Sequence, residues 1–191
     1  MLDAATFREI ALSNPHNARL MDGLRPLGLP QCYMTAGCLF QTLWNLRSGR
    51  PVAENIKDYD VFYFDGADLS WEAEDAVIRR VAPLAEQLGI PVEVKNQARV
   101  HLWYSARFGD DYPQLHSAKD GMSRYLVRCT CVGIAVADGE VFAPDGFADL
   151  EAGILRINPL LPQPRQWRAK AEHYRARWPW LRIVEEGDEA G

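Results

Sequence analysis

The sequence predicts an α/β chain of the mixed (α+β) kind, and three stretches carry that expectation. Residues 56–64 (Ile56-Lys57-Asp58-Tyr59-Asp60-Val61-Phe62-Tyr63-Phe64) are rich in aromatic and β-branched side chains and run straight into Asp65-Gly66, the pattern of a strand entering a turn. Ser70 opens the clearest helix. Glu72, Glu74 and Asp75 lie in or near its first turn, where the helix dipole favours negative charge, and Val77, Val81, Leu84 and Leu88 recur at helical spacing. Gly89 and Pro91 close it. Residues 92–104 then alternate. Val92, Val94, Ala98, Val100 and Leu102 share one parity with Asn96 as the polar intruder, and Glu93, Lys95, Gln97, Arg99, His101 and Trp103 share the other, which predicts a half-buried strand as far as Tyr104.

The remaining elements follow from periodicity and punctuation. Residues 2–12 predict a short helix with Phe7, Ile10 and Ala11 inward. Asn14-Pro15 reads as a cap and first residue of a second helix through Leu24, broken by Pro26, Gly28 and Pro30. A brief strand at 32–35 precedes Gly37, after which Leu39, Phe40, Leu43, Trp44 and Leu46 form a wide apolar helical stripe. Residues 127–136 and 140–142 predict a hairpin about Asp138-Gly139, 148–155 a helix, and Pro164 the start of a last helix with Trp167, Ala171, Tyr174 and Trp178 on one stripe. Residues 112–124 read as a polar connection, either a loop over a site or plain surface.

Composition narrows the function classes. The 191 residues fit one domain, drawn at 1–184 with its core at about 28–136, a C-terminal hairpin and helices at 137–184, and an acidic tail at 185–191 that is expected to fray. A net charge of −5 argues against a general nucleic-acid or membrane binder. No apolar run approaches the roughly 18 residues of a membrane span, and residues 1–7 lack the pattern of a secretory leader, so a cytoplasmic protein with no membrane partner is expected. Cys32, Cys38, Cys129 and Cys131 complete no zinc pattern and read as reduced, buried thiols.

Three groups of residues carry chemistry. Asp58 and Asp60 are two apart on a strand, so both carboxylates face one way with Cβ atoms roughly 6.5 Å apart, a spacing that suits one or two divalent cations. The polar side of 92–104 is open to two readings. One is a solvated edge. The other is a binding face, with Glu93 as a third carboxylate, Lys95 and Arg99 offering charge to a phosphate, and His101 a donor. Thr35-Ala36-Gly37-Cys38 is either a tight turn or a place where glycine and the N–H groups opening the next helix admit a phosphate. Trp103 and Tyr104 are candidates to stack a base, and the basic residues of the last helix read as a solvated face.

Gly37-Cys38 at a strand-to-helix turn, Asp58-Tyr59-Asp60 between apolar residues, and Val92-Glu93-Val94 on a later strand resemble the nucleotidyltransferase superfamily of the DNA polymerase β type. More narrowly, a bacterial family of nucleotidyltransferase-like proteins, formerly of unknown function, is resembled by several stretches. These are Ala36-Gly37-Cys38 with Trp44-Asn45, the run from Asp58 to Asp65, the run from Val92 to Tyr104, Ala143-Pro144 with Gly146, and Asn158-Pro159. The resemblance implies a small mixed sheet with helices packed on it. It also implies Mg²⁺ or Mn²⁺ at Asp58, Asp60 and Glu93, with nucleotide phosphate near Gly37, Cys38, Lys95, Arg99 and His101. The implied reaction moves a nucleoside monophosphate from a nucleoside triphosphate to an acceptor hydroxyl on a small molecule, protein or RNA. Cys38 departs from the serine or glycine usual there, and a thiol is a poor donor to phosphate. Two other readings stand beside it: a protein of the same fold that binds nucleotide or metabolite without turnover, and an interaction protein whose acids bind calcium or merely sit at a solvated rim.

Overall fold

The computed structural model describes residues 1–185. Asp3 caps α1 (Ala4–Ser13), its carboxylate accepting from Thr6 N at 2.8 Å. Asn14 caps α2 (Pro15–Leu24) by accepting from His16 N at 3.0 Å, and Pro15 fills the first position, where its missing N–H is not needed. A 3-10 turn at Arg25–Leu27 leads to β1 (Tyr33–Thr35), followed by α3 (Gly37–Arg47) and β2 (Tyr59–Tyr63). Next comes α4 (Trp71–Leu88), capped by Ser70 Oγ at 3.2 Å from Ala73 N and closed by Gly89 in the left-handed region. Then come β3 (Val92–Asn96), α5 (Val100–Phe108), α6 (Ala118–Met122), β4 (Gly133–Ala135) and β5 (Val141–Phe142). The chain continues through α7 (Ala148–Ala152), β6 (Ile154–Leu155), α8 (Pro164–Arg177) and β7 (Arg182–Ile183).

Five strands form one mixed sheet in the order β3-β2-β1-β4-β5, with β2 and β3 parallel and the other pairs antiparallel. Met34, Val61, Val94 and Ile134 lie in register across four strands and are all buried, so this face carries the main core, on which the helices from α1 to α4 pack. The opposite face carries Tyr33, Thr35, Asp60, Phe62, Glu93 and Lys95, and is covered only in part, where Ala118 and Met122 of α6 pack on Tyr33 and Ala135. That half-covered face is where a site can open. Two further strands, β6 and β7, form a small parallel pair.

α8 is held in place by aromatic packing against α3. Trp44 meets Trp178 at 5.2 Å and Tyr174 at 5.4 Å between ring centroids, both edge-on, and Trp178 Nε1 donates to Asn45 Oδ1 at 3.0 Å. Each such pair adds about 0.5–1.5 kcal/mol beyond its buried area. The stripe of Trp167, Ala171, Tyr174 and Trp178 is buried as its spacing predicts.

Several expectations need correction. The strand expected over 92–104 stops at Asn96. Asn96 Oδ1 accepts from Ala98 N at 3.1 Å and from Asp65 N at 3.0 Å, a local side-chain bond that competes with the ladder and turns the chain into a 3-10 turn (Gln97–Arg99) and then α5. The helix expected over 148–155 ends at Ala152, because Gly153 takes a left-handed conformation with Trp180 packed where a Cβ would stand, and 154–155 become β6. The strand expected over 127–136 is confined to β4, since Arg128–Thr130 close a 3-10 turn with Thr130 Oγ1 donating to Val127 O at 2.7 Å. Residues 112–124 contain α6, anchored by buried Ala118 and Met122. Glu185 is tied to Arg168 rather than loose, and the rest of the expected fraying tail lies outside the described residues. The four cysteines are free and buried.

Arg99 serves this framework. Its guanidinium pairs with buried Glu74 of α4 and donates through Nε to Leu69 O at 2.7 Å, while Glu74 Oε1 accepts from Asn96 N at 2.8 Å. The network clamps α4 to the end of β3. Removing one charge leaves the other buried and unpaired, so Arg99→Ala or Glu74→Ala should lower stability by about 3–5 kcal/mol in urea unfolding, whereas Arg99→Met with Glu74→Leu should recover most of the loss. Equal stability of the single variants and wild type would contradict the clamp.

Candidate functional site

The register of β2 sets the site. Asp60 lies opposite Thr35 of antiparallel β1 and opposite Glu93 of parallel β3. Side chains opposite one another in a ladder share a face, so Thr35, Asp60 and Glu93 stand in one row, with Tyr33, Phe62 and Lys95 in the next. This face opens into a cleft of about 390 Å³, with Asp60, Phe62 and Lys95 among its lining and exposed Asp58, just ahead of β2, also facing in.

The electrostatics of Asp60 follow from that placement. Burial first, then the Asp58 and Glu93 carboxylates, push its pKa up to about 7, while Lys170 and Lys95 pull the other way. Glu93 is in turn held by Lys95 at 3.3 Å. Thr35 in the same row is fully engaged, donating to Val132 O at 2.7 Å and lying 3.0 Å from Tyr125 Oη.

The turn into α3 borders the cleft through Ala36 and Gly37. Its left-handed bend falls on Ala36 (φ 60°, ψ −142°), a region costly for any residue with a Cβ, while Gly37 is already helical. Such strain, at the start of a helix whose first N–H groups lack intrahelical partners, is typical of a ligand-facing turn. The Cys38 side chain turns the other way. It is fully buried, and Sγ donates to Thr35 O at 3.2 Å, so only the Cys38 N–H can face a ligand.

Two walls rise from this floor. One belongs to α5 and the connection after it, where Trp103, Tyr104 and Tyr112 line the cleft and the Tyr104 and Tyr112 rings lie 4.2 Å apart at a 32° tilt. Arg124 sits over Tyr112 at 5.8 Å, and Lys95 over Trp103 at 5.9 Å. The other wall is α8, which presents Lys170 and Tyr174. Lys170 and Tyr174 are lining residues that sequence reading missed, whereas Tyr112 and Arg124 belong to residues 112–124, for which a loop over a site is one of the two readings. The helical spacing of Lys170 and Tyr174 was visible, but nothing in the sequence says which side of α8 meets a cleft.

Of the residues expected at the site, Asp58, Asp60, Gly37 and Lys95 line the cleft, and Glu93 adjoins Asp60 by register. Arg99 does not line it, being committed to Glu74, and neither does His101, which lies off the α5 face formed by Val100, Trp103 and Tyr104. The cause is the early end of β3: in a helix, residues 99 and 101 no longer share a side with 95.

Asp58 and Asp60 offer hard carboxylate oxygens, the donors magnesium and manganese take, and the raised pKa of Asp60 comes from burial first and then from the Asp58 and Glu93 carboxylates, which Lys170 and Lys95 offset only in part. The pair fits a divalent ion whose other positions go to water or phosphate. The three-carboxylate metal site expected at Asp58, Asp60 and Glu93 is not assembled: among the described residues no three His, Cys, Asp or Glu side chains converge on one point, and Glu93 pairs with Lys95 instead.

A family model described as nucleotidyltransferase matches residues 22–183. A solution NMR structure described as revealing a CCA-adding enzyme head domain is similar at 24% identity and TM-score 0.72, over 95% of each chain. The Thermotoga maritima CCA-adding enzyme complexed with tRNA is similar at 14% identity and TM-score 0.56, over 97% of this chain and 43% of that one. Both likenesses concern the fold. No curated protein matches the chain.

The Asp60 shift has a consequence for stability. Its folded pKa of about 7 lies above the ordinary value of 3.8, so the folded state binds more protons than the unfolded state between those values. Stability therefore falls as pH rises from about 4 to about 7 through this group, and the whole penalty is present above about 7. In chelator, Asp60→Asn should melt higher than wild type at pH 8, with the gap closing towards pH 4. A constant gap across that range would contradict the raised pKa of Asp60.

Proposed function

Because the chain belongs to that nucleotidyltransferase family, we propose that it transfers a nucleoside monophosphate from a nucleoside triphosphate to an acceptor hydroxyl in a metal-dependent reaction. The observation that carries this reading is the placement of Asp58 and Asp60 at a cleft with an aromatic wall on one side and Lys170 on the other, with Glu93 in register beside Asp60. Asp58 and Asp60 hold magnesium or manganese, which when bound neutralises phosphate charge and makes an attacking hydroxyl more acidic. The N–H groups of Gly37 and Cys38 at the start of α3 receive phosphate oxygens, and Lys170 faces the phosphate chain as a charge. Trp103, Tyr104 and Tyr112 stack the base.

Glu93, kept in place by Lys95, takes the proton of the acceptor hydroxyl. The hydroxyl oxygen then bonds to the α-phosphorus, the bond to the bridging oxygen breaks, and pyrophosphate leaves with that electron pair. Little covalent work falls to the protein, so rate comes from positioning and electrostatics. Arg99 and His101, away from the cleft, take no part. Acceptors on a small molecule, a protein or an RNA all satisfy this chemistry. The cytoplasm, which supplies nucleoside triphosphates and keeps thiols reduced, suits four free buried cysteines, and no helix of the described residues is long and apolar enough to cross a membrane.

Thermal denaturation with magnesium and each nucleoside triphosphate tests the reading. A ligand at a hundredfold excess over its Kd stabilises by about 2.7 kcal/mol, or about 5–10 °C for a chain of this size. Wild type should shift by that amount with at least one triphosphate, and Asp58→Asn should fold with an unchanged circular dichroism spectrum yet show no shift. A full shift in the Asp58→Asn/Asp60→Asn variant would overturn the assignment.

A further inference from the structure

Gly37 and Gln41 stand one helical turn apart on the cleft side of α3, and both line the cleft. Gly37 does not need glycine for its backbone, which is helical. A Cβ there would come within 2.5 Å of Gln41 Nε2, the end of a flexible side chain. The Gln41 amide thus lies directly over the Gly37 backbone, at the helix end where a phosphate would approach.

The orientation of that amide is fixed from the other side. Arg177 Nη1 donates to Gln41 Oε1 at 2.9 Å, and a guanidinium can only donate, so Oε1 faces Arg177 and the Nε2 donors face away from it, towards Gly37. Arg177 is itself held by Asn55 O, which accepts from Nη2 at 3.0 Å, and by stacking at 4.2 Å over Trp178. A cation clamped at the end of α8 therefore holds a neutral donor over the start of α3, with Lys170 about two turns back along α8 on the same cleft.

We propose that Gln41 is a phosphate-binding residue for the β- and γ-phosphates of the nucleoside triphosphate, and that Arg177 is the positioning residue that points its amide. The inference rests on the triphosphate reading of the cleft and adds to it the group that tells a triphosphate from a monophosphate. A monophosphate, anchored by its base on the aromatic wall, would not extend to Gln41.

The test is the binding of magnesium with each nucleoside triphosphate, and with the matching monophosphate, to wild type, Gln41→Leu, Gln41→Glu and Asp58→Asn. Gln41→Leu removes the donors at similar volume and should weaken triphosphate binding about ten- to a hundredfold while changing monophosphate binding less than about twofold. Gln41→Glu is the sharper variant. Its carboxylate keeps and strengthens the contact to Arg177, so a purely structural residue would tolerate it with an unchanged or higher Tm, whereas a phosphate donor replaced by an anion should lose triphosphate binding by a hundredfold or more. Triphosphate affinity within about twofold of wild type in Gln41→Glu, with Asp58→Asn still defective, would overturn the role of Gln41 and leave the cleft assignment standing. Wild type that binds no triphosphate would overturn both.

Discussion

Parallel pairing of β2 with β3 forces Asp60 and Glu93 to stand one strand spacing apart, about 4.8 Å, with Asp58 two residues back from Asp60. Backbone hydrogen bonds hold them there, and the apolar row of Met34, Val61 and Val94 on the opposite face locks the register, since a slip of one residue would turn the whole row outward. Burial first, then the Asp58 and Glu93 carboxylates, pushes Asp60 up to about 7. The fold maintains this charge at a cost to its own stability.

The rest of the site is arranged around that charge by packing that happens elsewhere. The aromatic wall depends on Asn96, whose carboxamide ends β3 and starts the turn into α5, so that Trp103 and Tyr104 rise beside the floor instead of continuing it. The cationic wall depends on Trp44, Tyr174 and Trp178, which fix α8 against α3 and so deliver Lys170 to the cleft and Arg177 to Gln41. The Arg99–Glu74 pair secures α4 to the same strand end. Positioning by buried contacts rather than by loops suits chemistry that relies on geometry and fields.

Much of this could be read from the residues in advance where the signal is local. Asn14-Pro15, Ser70 and Gly89 mark helix ends by their own hydrogen bonds and backbone freedom, and they do so in the structure. The aromatic and β-branched residues around Asp58-Tyr59-Asp60, running into Asp65-Gly66, mark β2, and the stripe of α8 marks its buried side. What could not be read depends on tertiary partners. The alternating polarity after Asn96 is as compatible with α5 as with a strand, and only the Asn96 bonds to Asp65 and Ala98 decide it, which is why Arg99 and His101 fell on the wrong side. Ala36 gives no hint of its left-handed backbone, Cys38 none that its thiol points into the core, and Lys170 none that its side of α8 meets the cleft.

Locating a heavy divalent ion tests the central claim most directly. Crystals soaked with manganese and a non-hydrolysable nucleoside triphosphate, with data collected at the manganese absorption edge, should show an anomalous peak within about 2.5 Å of a carboxylate oxygen of both Asp58 and Asp60, with phosphate density against the start of α3. A fully bound triphosphate with its metal away from both aspartates, or manganese held elsewhere in the cleft, would contradict the account.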